Sequence, residues 1–61
     1  MRVMLIDDHA LMRAGIRQLL TAQPDLQVVA ESSHTDGALE EVVRSQAEIV
    51  ILDLTLPGGA S

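Results

Sequence analysis

The sequence predicts an α/β domain in which three parallel strands alternate with two helices. Short apolar runs that end in acidic residues predict the strands, and the segments between them carry apolar residues at helical spacing. The resulting order β-α-β-α-β requires crossover connections, which are almost always right-handed. The two crossovers could wind in the same direction or in opposite directions around the first strand. Opposite winding would give the spatial order 2-1-3 and open a switch point between the first and third strands.

The first strand is predicted at about residues 3–6, an unbroken apolar run that stops at Asp7. Such a run is typical of a strand that is buried on both faces of a parallel sheet. A helix is predicted next, at about residues 11–22, where Gly15 indicates a close approach of the helix to the sheet because glycine costs about 1 kcal/mol relative to alanine. The predicted buried stripe of this helix is Met12, Ile16, Leu19 and Leu20.

The second strand is predicted at about residues 26–31, and its partial alternation is typical of an edge strand. A polar connection follows, in which Thr35 is the expected N-cap of a second helix at about residues 36–45. Asp36 would then lie in the first turn, where a negative charge suits the helix dipole. The expected apolar face of this helix is Ala38, Leu39, Val42 and Val43.

The third strand is predicted at about residues 49–52, again as an apolar run that is buried on both sides. It ends at Asp53, and residues 54–61 form a predicted loop that contains proline and two glycines. The predicted elements therefore place acidic residues after the first strand and after the third. Both positions lie at the carboxyl edge of a parallel sheet, where ligands of such sheets bind.

The composition excludes several kinds of protein. The 61 residues carry a net charge of −5 and contain no cysteine, no aromatic residue and no lysine. Disulfides and thiolate zinc sites are therefore excluded, and a basic face for nucleic acid is missing from this segment. No apolar run approaches the roughly 20 residues of a membrane span, so we expect a cytoplasmic chain. Because chains of this size bury only about 60% of their unfolded surface, we expect a fragment or an obligate assembler.

Three carboxylates define the candidate site. Asp7 and Asp8 close the first strand, and if the third strand is its neighbour, at about 4.8 Å, Asp53 converges on the same small volume. Clustered like charges are costly unless a cation lies among them. Mg²⁺ accepts oxygen ligands and retains water, so two carboxylates and one backbone carbonyl, for instance that of Thr55, would suffice. A carboxylate can also attack phosphorus, and Asp53 is the candidate nucleophile because it stands alone at a strand tip.

Three segments together resemble the receiver domain of bacterial two-component response regulators. They are Ile6-Asp7-Asp8-His9, Arg13-Ala14-Gly15 and the stretch from Ile49 to Gly58, which reads IVILDLTLPG. The Asp-Asp-His opening with Arg-x-Gly is most similar to the NarL-like subgroup, in which a receiver is joined to a LuxR/FixJ-type helix-turn-helix domain. The resemblance implies a flavodoxin-like, doubly wound sheet of strand order 2-1-3, of which this chain corresponds to about the first half.

The same resemblance assigns roles to the acidic residues. It implies that Asp53 is the phosphoacceptor and that Asp8, Asp53 and the Thr55 carbonyl bind Mg²⁺, with Asp7 acting through water. A histidine kinase would supply the phosphoryl group, and DNA would be bound only by a C-terminal domain that this sequence does not contain. The module would be a signalling domain rather than an enzyme. Receivers also carry Ser or Thr after a fourth strand and Lys after a fifth, and this sequence contains neither element.

Two other functions stay open at this point. A half-domain could be a structural unit that self-associates through the exposed edge of its third strand. An aspartate-nucleophile hydrolase would share the strand-end carboxylates, but the sequence offers no acid/base partner for one. Asp7 and Asp8 could also do no more than end a strand and cap a helix. His9 could be a metal ligand, although a solvated histidine beside acids is the favoured interpretation.

Overall fold

A computed structural model of the chain describes residues 1–53 and confirms the predicted order of elements. The strands are β1 (Arg2–Asp7), β2 (Gln27–Ser32) and β3 (Ile49–Asp53), and the helices are α1 (Ala10–Thr21) and α2 (Ala38–Ser45). The strands form one parallel sheet in the order β2-β1-β3, as predicted. The predicted loop at residues 54–61 lies outside the described residues.

The core of the described chain is the central strand. The four apolar residues of β1 are no more than 2% exposed, and Leu5 and Met4 are completely buried. This burial confirms the prediction for the first strand. It arises because β1 has a strand on each side, while α1 packs on β1 and β2 and α2 packs on β2. Right-handed crossovers in opposite directions place the two helices on opposite faces of the sheet.

The prediction that the third strand is buried on both sides is wrong for the described residues. Ile49, Val50 and Leu52 are 41%, 42% and 58% exposed. The reason is the position of β3 at the edge of the sheet, where β1 is its main neighbour. An apolar run indicates that a strand is suited to burial, but the strand is buried only where other elements pack against it.

The buried stripe predicted for α1 is also wrong in part. Met12 and Leu19 are 54% and 72% exposed, whereas Ile16 and Leu20 are half-buried. The expected close approach at Gly15 is not found either, because a Cβ atom built there has no neighbour within 4 Å. The helix therefore rests on the sheet through a face that keeps Ile16 and Leu20 from the predicted stripe but leaves Met12 and Leu19 outside it. No helix within residues 1–53 has the length and apolar character needed to cross a membrane.

Helix α2 begins later than predicted, with Gly37 rather than Thr35 at its N-cap, so Asp36 lies before the first turn. Gly37 has a φ of 74°, in the left-handed region that β-branched threonine avoids. At the other end, Gln46 adopts a φ of 59° as the C-cap, and its N–H reaches the carbonyls of Val42 and Val43. Left-handed residues at both ends therefore define a shorter helix than the sequence predicts.

The two glycines give a matched test of this backbone geometry. Gly37→Ala is expected to lower the free energy of unfolding by about 1 kcal/mol, because alanine is strained at positive φ. Gly15→Ala is expected to raise it by about 0.5–1 kcal/mol, since Gly15 is in a helix with open space around the added methyl group. Urea unfolding followed by far-UV circular dichroism measures both. Equal effects of the same sign would contradict the assigned backbone conformations.

A β-bulge interrupts the pairing of β1 with β2. Val3 pairs with Val28, but Met4 pairs with Ala30, so Val29 is the additional residue on β2. After the bulge Leu5 pairs with Glu31 and Ile6 with Ser32. Because paired residues in a ladder share a face, the bulge decides which side of the sheet the end of β2 presents.

Candidate functional site

The carboxyl ends of β1 and β3 meet at one edge of the sheet. Asp7 and Asp53 are paired in the parallel register of these strands, so the two strands end level with each other. Paired residues of a parallel ladder project to the same face, with the strands about 4.8 Å apart. The register therefore brings two of the predicted site residues to the same point of the sheet, as their positions in the sequence predicted.

Asp7 is a buried carboxylate with one oxygen lacking a partner. The residue is completely buried, and its Oδ1 accepts a hydrogen bond from the backbone N–H of His9 at 2.8 Å. Its Oδ2 is buried and has no hydrogen-bond partner among residues 1–53. The alternative in which Asp7 only supports the start of a helix thus accounts for a single oxygen. A buried acceptor of this kind is costly unless a cation or water satisfies it.

Asp8 and His9 complete a cluster next to Asp7. The Nδ1 atom of His9 lies 3.1 Å from Oδ1 of Asp8, and the two side chains are 63% and 32% exposed, respectively. One possible ligand atom from each of the three residues lies within 4.8 Å of the other two. Asp53 stands beside the cluster on β3 but is not a member of it. Thr55, whose carbonyl the sequence analysis proposed as a ligand, lies outside the described residues.

The donor set fits a hard divalent cation. Carboxylate oxygens are the ligands that Mg²⁺ prefers, and a partly exposed site leaves positions for the water molecules that it retains. The unpartnered Oδ2 of Asp7 is the observation that carries this fit, because neutralising charge nearby would offset its burial. His9, which the sequence analysis favoured as a solvated residue, is 63% exposed and offers a ring nitrogen within 4.8 Å of an oxygen of each acid.

Arg13 is a contact of the site that sequence reasoning missed. Its Nη1 donates a hydrogen bond to the backbone carbonyl of Asp7 at 2.8 Å, and its Nε lies 3.5 Å from Oε1 of Glu31. Nη1 of Arg17 lies 3.1 Å from Oε2 of the same glutamate. The sequence analysis used Arg13 only as part of a motif. A signal was present, since Arg13 lies one helical turn after His9, the N-cap residue of α1.

Asp7→Asn separates the effect of the buried carboxylate on stability from its role in binding Mg²⁺. In the presence of a chelator, this substitution is expected to stabilise the chain by about 1 kcal/mol or more, because asparagine still accepts the His9 hydrogen bond without a buried charge. Added Mg²⁺ is expected to stabilise the original chain, by about 2.7 kcal/mol at one hundred times Kd, but not the variant. Urea unfolding with EDTA or with Mg²⁺ measures both effects. Destabilisation in EDTA would show that the carboxylate is already satisfied.

Comparison with known proteins gives a consistent result. The model of the family described as the response regulator receiver domain matches residues 3–60. The nitrate/nitrite response regulator protein NarL of Escherichia coli K12 is 38% identical over 56 residues, which are 92% of this chain and 26% of NarL. NarP of the same strain, also named a nitrate/nitrite response regulator protein, is 42% identical over 57 residues, which are 93% of this chain and 26% of NarP.

A third relative comes from a different bacterium. The oxygen regulatory protein NreC of Staphylococcus haemolyticus is 34% identical over all 61 residues, which make up 28% of its length. The chain therefore spans about a quarter of the length of the curated relatives it matches, at 26% and 28%.

Proposed function

The chain belongs to the response regulator receiver domain family, and from that premise we propose that it accepts a phosphoryl group on Asp53. Receiver domains are signalling modules that generally bind Mg²⁺ through acidic residues, and this chain carries the cluster of Asp7, Asp8 and His9. The single observation that best supports the proposal is the pairing of Asp7 with Asp53 at the ends of β1 and β3. It puts the proposed acceptor beside the buried carboxylate that has an unpartnered oxygen.

The proposed ligands are Asp8, Asp53 and the backbone carbonyl of Thr55, with Asp7 acting through water. Mg²⁺ bound there would neutralise charge on the oxygens of an incoming phosphoryl group. A carboxylate oxygen of Asp53 attacks phosphorus and forms an acyl phosphate. As this bond forms, the phosphorus–nitrogen bond of the donor breaks, and the nitrogen of the leaving group takes up a proton. Asp53 suits this role because it is exposed at the tip of β3, whereas Asp7 is buried.

The proposed donor is a histidine kinase, whose phosphorylated imidazole would transfer its phosphoryl group to Asp53 in the cytoplasm. NarL and NarP are named nitrate/nitrite response regulator proteins, and a further relative, LiaR of Bacillus subtilis, is named a transcriptional regulatory protein. We therefore propose that this chain works within a longer regulator, in which a separate C-terminal domain binds DNA. The net charge of −5 of the 61-residue chain fits a DNA-binding role for a different domain, because DNA binding requires a basic surface.

The test is direct phosphorylation of the 61-residue chain. The chain is incubated with phosphoramidate and Mg²⁺, and its intact mass is followed with time. One added phosphoryl group is expected, labile to hydroxylamine, and borohydride reduction followed by peptide sequencing should place it on Asp53. Omitting Mg²⁺ should suppress the reaction. Failure to form an adduct under conditions in which Mg²⁺ binds, or modification of a different acid, would overturn the proposal.

The exposure of β3 favours a second candidate function, self-association as a structural unit. Three of its apolar residues, Ile49, Val50 and Leu52, are between 41% and 58% exposed. A strand at the edge of a sheet also presents unpaired backbone groups. Antiparallel pairing of two β3 strands would bury these residues and keep the two Asp53 carboxylates at opposite ends. Sedimentation equilibrium distinguishes the candidates, because a defined dimer that takes up no phosphoryl group supports the structural role and a reactive monomer excludes it.

A further inference from the structure

We propose that Arg13 is the positioning residue of the metal-binding turn, defined here as Asp7, Asp8 and His9, and that Glu31 anchors it. This inference rests on the proposed function, because it concerns how the same turn holds Mg²⁺. Arg13 is not itself a proposed ligand, and its guanidinium contacts the backbone carbonyl of Asp7. It acts through the backbone that carries the ligands.

Arg13 contacts the turn at both ends. Its guanidinium donates to the carbonyl of Asp7 at 2.8 Å, and its backbone N–H donates to the carbonyl of His9 at 2.8 Å. The register of β1 with β2 ends at Ile6, whereas Asp7 is still paired with Asp53 on β3. The guanidinium of Arg13 supplies the buried carbonyl of Asp7 with a donor from the side of α1. The peptide that joins Asp7 to Asp8 is thereby fixed from the helix side.

The same turn is held from within by the N–H of His9, which donates to Oδ1 of Asp7. With one carboxylate oxygen engaged, the direction of the unpartnered Oδ2 follows from the position of the backbone. A shift of the Asp7–Asp8 peptide would therefore move both carboxylates relative to each other. The arginine controls the geometry of the ligand set without being a ligand.

Glu31 holds the side chain of Arg13 in place. Its carboxylate lies 3.5 Å from Nε of Arg13, and both side chains are about a quarter exposed, at 26% and 23%. Arg17 shares the glutamate but is 51% exposed, and its guanidinium donates to Glu31 at 3.1 Å. The two arginines therefore carry the same charge on the same helix and share a partner, while Arg13 also donates to the backbone of the metal-binding turn.

Removal of Arg13 would change the Kd for Mg²⁺ in opposite directions, depending on whether the arginine acts through its charge or by positioning the turn. If the arginine acted only as a nearby positive charge, its removal would strengthen the binding of a cation, and high salt would reduce the change. If it holds the turn in place, its removal weakens binding, as loss of a supporting contact around metal ligands commonly does by about 10- to 100-fold. The direction of the change in Kd therefore decides between the two roles.

The experiment is a Mg²⁺ titration of the chain followed by two-dimensional amide NMR, which suits a protein with no Phe, Tyr or Trp. Arg13→Gln is expected to raise the Kd for Mg²⁺ by about tenfold and to move the amide signals of Asp8 and His9 before metal is added. Arg13→Lys, which keeps one donor, should recover part of the affinity. Arg17→Gln, which removes the same charge, should leave Kd within about twofold.

Each outcome has a distinct meaning. Absence of Mg²⁺ binding by the original chain would overturn the proposed function itself. Binding by the original chain with an unchanged or lower Kd in Arg13→Gln would overturn only the positioning role, and so would equal effects of the two arginine variants. Should Arg13→Gln not fold, Glu31→Gln retains the arginine but removes its anchor, and a Kd raised by about two- to fivefold is then expected, with an increase that persists at high salt, where a pure charge effect is screened. No increase in that variant would equally refute the proposal.

Discussion

Asp53→Asn is expected to abolish formation of the phosphoryl adduct on this chain. The amide of asparagine has nearly the shape of the carboxylate but cannot form a stable acyl phosphate, because the attacking oxygen is no longer an anionic nucleophile. Asp53 pairs with Asp7 and is exposed at the end of β3, so the substitution removes no buried contact of the described core. The intact mass after incubation with phosphoramidate and Mg²⁺ measures the loss, and circular dichroism checks that the variant is folded.

Asp25→Asn is the matched control. Asp25 is an exposed acid in the connection between α1 and β2, at the opposite edge of the sheet from the acidic cluster. Its substitution removes the same charge and is expected to leave the rate and extent of labelling unchanged. A hydroxylamine-labile adduct that persists in Asp53→Asn would show that another carboxylate is the acceptor. Loss of labelling in both variants would indicate that net charge, rather than Asp53 itself, governs the reaction.

Leu5→Ala is expected to lower the free energy of unfolding by about 2–5 kcal/mol, enough to unfold much of a chain of this size. Leu5 is completely buried at the centre of β1, between Glu31 on β2 and Ile51 on β3. Truncation therefore removes apolar contacts and leaves a cavity in β1, the only described strand whose apolar residues are all buried. Urea unfolding at low temperature, followed at 222 nm in the far ultraviolet, measures the change.

Leu52→Ala provides the comparison within the same sheet. Leu52 is 58% exposed, so the same truncation is expected to cost less than about 1 kcal/mol in a monomer. The ratio of the two effects tests the asymmetry between the central strand and the edge strand. At low protein concentration, similar losses in the free energy of unfolding for the two variants would contradict the described burial. A loss for Leu52→Ala that grows with concentration would instead support self-association through β3.

The strands and their parallel direction could be predicted from local sequence, whereas the order 2-1-3 was implied by the resemblance to receiver domains. The apolar runs that end at Asp7 and Asp53 defined two strands, and the length of the connecting segments required parallel crossovers. The convergence of Asp7 and Asp53 then followed from topology, since parallel strands end at the same edge. These features depend on chain geometry and not on the detailed contacts of a side chain.

Burial could not be predicted in the same way. Met12 and Leu52 have the residue types and spacing of core positions, yet both are exposed, because burial depends on a second surface and not on the strand or helix alone. The unpartnered oxygen of Asp7 was also beyond sequence reasoning, since it depends on the direction of one carboxylate relative to the His9 amide. Prediction therefore reached the pairing of Asp7 with Asp53, while the roles assigned to the site residues stay predictions.

Val29 has a consequence beyond the local irregularity that it causes in β2. Without this extra residue, regular alternation would set Glu31 level with Ile6 instead of Leu5, and its carboxylate would point away from α1. Arg13 and Arg17 would then share one side of the molecule with no acid from β2 opposite them. One inserted valine thus reverses the face on which the following residues of β2 project. As a result Glu31 meets Arg13 and Arg17 on α1.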